Sequence, residues 1–107
     1  MTEQAVPTPK SEILFPVVQA LLSDLRNGNG DRDRRRQVEE WMRTLAEKYP
    51  EFKIENGLRD YYLAEAQRLR SDFEKSGDVA ERLGLARSIE SFLDRAGEYE
   101  RRMAERL

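Results

Sequence analysis

Between Leu85 and Met103 the residues Leu85, Ile89, Phe92, Ala96, Tyr99 and Met103 recur at intervals of four, three, four, three and four. A strand alternates every second residue, so only a helix brings side chains at this spacing to one face. The stripe lasts nearly three heptads, the pattern of a seam between packed helices. A chain that carries it is committed to helix-on-helix packing.

The remaining apolar residues fall into shorter runs of the same kind. Ile13, Leu14, Val17, Val18, Leu21, Leu22 and Leu25 form the first. Pro16 interrupts it, and a proline is best placed at the first position of a helix. We therefore expect a lead-in over 11–15 and a helix over about 16–26. Asn27-Gly28-Asn29-Gly30-Asp31 favours positive φ and ends that helix, which makes it the most flexible internal stretch. Asp31 or Asp33 can cap a second helix, which carries Val38, Trp41, Met42, Leu45 and Tyr49 on one face and stops at Pro50. A connector over 51–57 follows, in which Phe52 and Ile54 alternate too briefly for a strand. Asn56 can cap a third helix over about 58–75, with Leu58, Tyr62, Ala66, Leu69 and Phe73 inward. Ser76-Gly77-Asp78 closes it, with glycine just past the helix end, and Asp78-Val-Ala-Glu81 resembles a capping box for a fourth helix running to the C-terminus. Residues 1–9, with Pro7 and Pro9 and no periodicity, read as a flexible tail, and 10–107 as one helical domain.

The expected fold is thus all-α: about four helices, ending in a long antiparallel hairpin and assembled as an oligomeric helical bundle. At ~1.5 Å per residue the third helix is about 27 Å long and the fourth about 43 Å, so the fourth overhangs by about ten residues. The overhang begins near Gly97 and carries Tyr99, Met103 and Leu107 in one line. Either an earlier helix or a second molecule must cover it. We expect the second molecule, and assign Leu85, Ile89, Phe92, Ala96, Tyr99, Met103 and Leu107 to self-association.

Composition narrows the function classes. The chain has 107 residues, 37% of them charged, with 19 basic and 21 acidic side chains. A net charge of −2, with eight of each sign in residues 1–50, leaves no basic half to draw the chain onto a nucleic acid or an anionic membrane. Cysteine and histidine are both absent, which removes thiolate chemistry, the commonest general base and the commonest metal ligands. No apolar run approaches the ~20 residues of a membrane span, and the N-terminus lacks a signal-peptide layout, so a cytoplasmic location without membrane partners is expected.

One cluster invites a binding role. Arg32, Arg34, Arg35 and Arg36 stand at a helix start, where basic charge opposes the macrodipole, and Arg43 follows on the same helix. Such a cluster is a solvated helix start unless phosphates or partner carboxylates use it. Tyr61, at the edge of its helix's apolar face, is the expected exposed aromatic anchor, whereas Tyr62 and Trp41 read as core. A helix-turn-helix reader is a poor match, because eight residues separate Tyr49 from Leu58. A calcium loop from Asn27 fails at Arg32, where glycine is needed, and at Val38, where glutamate is. Neither a cofactor nor a catalytic residue is expected. The functional expectation is a non-enzymatic, oligomerising adaptor or regulatory subunit that binds a protein partner. The alternative is a nucleic-acid-binding accessory subunit that repeats its arginine cluster around an oligomer to hold phosphates.

Overall fold

The computed structural model describes residues 9–105. They form helices α1 (Pro9–Arg26), α2 (Arg32–Lys48), α3 (Ile54–Lys75) and α4 (Val79–Glu105), with one 3-10 turn at Pro50–Phe52 and no strand among the described residues. The fold is all-α. Most of the expected tail (1–8) and Leu107 lie outside the described residues, whereas Pro9 already begins α1. No described helix is long and apolar enough to cross a membrane.

The first helix corrects the reading from spacing. It does not start at Pro16 but runs through it. Pro16 forfeits its hydrogen bond to the carbonyl four residues back. Packing on both sides outweighs that loss: Val18, Leu22 and Leu25 are buried, and the Phe15 ring lies 5.2 Å from that of Phe52. Pro16 itself faces solvent.

The loop after α1 is held rather than loose. Arg35 donates to the carbonyls of Gly28 (3.0 Å) and Gly30 (2.9 Å), and Asn29 donates to Asp24 (3.2 Å). Arg68 of α3 donates to the Arg26 carbonyl and lies against Gly28, whose φ of +74° favours glycine. Asp31 caps α2 as expected, its Oδ1 accepting the Arg34 N–H at 2.8 Å.

Helix α3 starts four residues earlier than the spacing implies. Phe52, in the 3-10 turn, is buried beneath α1 and stacks on Tyr49 at 4.9 Å. Lys53 then adopts a left-handed conformation (φ 54°), and the helix opens at Ile54, itself buried. Asn56 is therefore inside the helix, not its cap. Gly57 is no helix breaker either. A Cβ there would stand 2.7 Å from a methyl of Leu22, so the glycine lets α1 and α3 close up. At the far end Asp78 caps α4 through the Glu81 N–H (3.2 Å), but its own N–H bonds the Ser76 hydroxyl (3.3 Å) rather than Glu81. Gly77 does not take the left-handed conformation expected past a helix end, since Ser76 leaves α3 in an extended conformation.

α3 touches each of the other three helices, and its partner over the greatest length is α4, with which it forms the antiparallel hairpin. The buried core draws Val18, Leu22 and Leu25 from α1, Met42 and Leu45 from α2, and Leu58 and Tyr62 from α3. It is closed by Ala96 and Tyr99 of α4. All fully buried hairpin residues lie in 54–66 or at 96 and 99, and none lies in 67–95. The molecule thus has a packed base and a projecting two-helix arm, over extents of 67 × 30 × 16 Å.

This shortens the expected overhang, since α3 has 22 residues and α4 has 27. With α3 begun at Ile54, its first turns reach Ala96 and Tyr99, and Tyr99 stacks on Tyr62 at 5.9 Å. The chain itself covers Tyr99, so no second molecule is needed there. The uncovered part lies at the opposite end, at the hairpin tip. Of the stripe assigned to self-association, Leu85, Ile89, Phe92 and Met103 are half-buried and Ala96 and Tyr99 buried, so it is the inner side of the hairpin. Trp41, expected in the core, is exposed.

Candidate partner-binding groove

Helix α2 lays its first two turns alongside the arm. Between them lies a groove of about 570 Å³. Arg32, Arg35 and Arg36 descend from α2 on one side, and Leu85, Ser88, Ser91 and Phe92 of α4 line the other. Tyr61, Glu65 and Leu69 of α3 form the floor, and Glu81 stands at the end toward the hairpin tip.

The arginine cluster divides once folded. Arg35 is a structural clamp: its guanidinium donates to both loop carbonyls, and its charge lies near the Tyr61 hydroxyl. Arg34 turns outside the groove to Gln37 at 3.3 Å. Arg32 and Arg36 line the groove, are exposed, and have no hydrogen bond or ion pair among the described residues. Tyr61 is not the exposed anchor its position on the helix wheel implied. It is buried, tilted against Tyr62 at 5.1 Å, and burial, before the nearby Glu39 and Glu65, pushes its hydroxyl pKa up.

Arg43 lies deeper in the base. It donates to Glu39 (2.5 Å) and to the Tyr62 hydroxyl (2.6 Å), so one guanidinium joins α2 and α3. It faces a second cleft of about 580 Å³, shared with Arg95, Arg102, Glu47, Glu55 and Glu98, in which the two signs are matched. Arg43 is thus engaged by Glu39 and Tyr62 within the chain, although its side chain stays 46% exposed.

Reading the sequence left out three residues that the fold brings to this region. Arg95 reaches Glu39 at 4.0 Å and lies over the Tyr62 and Phe92 rings, 5.7 and 5.9 Å from their centroids. Glu39 is buried, and its desolvation outweighs Arg43 and Arg95, so its carboxyl titrates above the ordinary carboxylate range. Glu65, also buried, is paired with Arg68 at 2.6 Å. The i,i+4 spacing of Glu39 and Arg43 and the i,i+3 spacing of Glu65 and Arg68 were visible in the chain, but equally spaced pairs on solvated faces look the same.

The electrostatic balance follows from these pairings. Two of the groove's three glutamates are neutralised by arginines, whereas Arg32 and Arg36 have no partner. The positive end of the α2 dipole points the same way. The groove therefore sets Leu69, Leu85 and Phe92, among polar neighbours, beneath a cationic rim. Among the described residues no group of three or more carboxylates could hold a metal ion. The chain matches no family model, no curated protein and no solved structure.

Proposed function

We propose that this protein is a non-enzymatic adaptor or regulatory subunit that binds an acidic, amphipathic helical segment of a partner protein in the groove between α2 and the arm. The observation that carries this reading is the pairing of exposed, unpartnered Arg32 and Arg36 with the half-buried Leu69, Leu85 and Phe92 in one groove. A helix laid there would bury its apolar face on the leucines and set its carboxylates against the guanidinium groups, the helix-in-groove mode of recognition. Arg35 and Tyr61 shape the site by fixing the loop and the floor, and Arg43 holds the base on which the arm stands.

Calorimetric titration with a synthetic acidic amphipathic helix tests the reading, with a sequence-scrambled peptide and a short DNA duplex at low salt as comparisons. The acidic helix should bind, and the scrambled peptide should bind weakly or not at all. Arg32→Glu with Arg36→Glu should abolish binding, as should Leu85→Asp, while circular dichroism stays unchanged. Equal binding of the scrambled peptide, or tighter binding of the duplex, would overturn the reading, the latter in favour of phosphate contacts.

A further inference from the structure

A second apolar stripe on α4 takes no part in the fold. Val79, Leu83 and Leu93 are 81%, 51% and 47% exposed, although each is a large hydrophobe in a well-formed helix. With Ala86, Glu90 and Gly97 they recur at intervals of four, three, four, three and four. On the helix wheel this line stands roughly 115° from the inner stripe, on the side turned away from the groove. A Cβ at Gly97, as at Gly84 of the same helix, would meet nothing within 4 Å, so the surface at Gly97 is open to close approach.

We propose that a second copy of this chain docks on this outer stripe, α4 against α4 in antiparallel orientation, about a two-fold axis at the level of Ser88. A symmetric contact must be complementary to itself. About this axis Leu83 meets Leu93 of the other copy, Val79 meets Gly97, and Ala86 meets Glu90. Each large side chain thus faces a leucine or a small residue, as knobs-into-holes packing requires. The charges select the direction. Glu90 is the one acidic residue on the stripe, and a parallel pairing in register would set it against its own copy. In the antiparallel pairing it faces Ala86 and lies beside Arg87 of the other copy, so two arginines and two glutamates gather at the axis. A foreign partner would need no such internal symmetry.

This contact is independent of the groove, because it uses the opposite side of α4. Sedimentation or light scattering of the full chain over a range of concentrations should give the mass of two copies. Leu83→Arg with Leu93→Glu should give one copy while circular dichroism is unchanged. Arg87→Glu alone and Glu90→Arg alone should each weaken association at least tenfold, and the two together should restore it. The chain has no cysteine, so direction can be read by oxidation of a mixture. Leu83→Cys chains should cross-link to Leu93→Cys chains and not to themselves. A monomer at every concentration overturns the proposal. So does a dimer that survives Leu83→Arg with Leu93→Glu, or cross-linking of like with like.

Discussion

At the scale of single residues, the base holds buried carboxylates that are paired on their own helix, and one of them is also reached from another. Glu39 is the clearest case, buried on α2 and met by Arg43 and, from α4, by Arg95. Burial raises its carboxyl pKa, so the folded chain holds a proton there more readily than the unfolded chain does. The stability this provides is full below the ordinary carboxylate value and is lost as pH rises through the raised folded value. Glu39→Gln cannot titrate. Its stability relative to the parent should therefore rise with pH across that window, read as the difference in urea midpoints of the two chains; a difference independent of pH would refute the assignment. The same residues show where a sequence ceases to be legible. That Arg35 clamps a loop while Arg32 and Arg36 stay free depends on side-chain directions set by the fold, and four arginines in five positions look alike in the chain. Tyr61 and Trp41 exchanged their expected places for a related reason, since which edge of an apolar face is covered depends on the neighbouring helix.

At the scale of the helices, periodicity located all four, and caps located the starts of α2 and α4. The missed boundaries were those where local chemistry and packing disagree. Pro16 and Asn56-Gly57 both signal breaks, and at both α-helix persists because its apolar residues have a surface to meet: Val18 and Leu22 in α1, Ile54 and Leu58 in α3. Gly57 carries a signal that spacing rules misassign, because close approach to Leu22 and a turn demand the same residue. Since Pro16 is exposed in mid-helix, its cost is chiefly the lost hydrogen bond and the ring's clash with the preceding turn. Pro16→Ala should stabilise the protein by as much as about 3 kcal/mol, seen as a higher urea midpoint with an unchanged slope. No gain would mean that the rigidity proline confers on the unfolded chain offsets the repaired helix.

At the scale of the whole molecule, burial divides the hairpin unequally. Its base is packed on two further helices, while residues 67–95 contain no fully buried side chain. Opening free energy follows buried apolar contact, so amide exchange should be slowest over 54–66 and faster over 67–75 of the same helix. Mass-spectrometric exchange on the full chain reads this directly, and equal protection along α3 would show that the arm is covered in solution over its whole length. Which end of the hairpin is uncovered could not be read from helix lengths, because the four residues added to the start of α3 cover Tyr99, while the reach of α1 and α2 along the arm is set by packing.

The central place of α3 also bears on how the chain comes to be made. The apolar faces of α1 and α2 rest chiefly on α3, which follows them in the sequence. During synthesis both earlier helices leave the ribosome before the surface that will cover Val18, Leu22, Leu25 and Met42 exists. The N-terminal half must wait, sticky and unassembled, until residue 75 has cleared the exit tunnel. That interval, rather than the finished fold, is when Val18, Leu22, Leu25 and Met42 lack the surface that buries them.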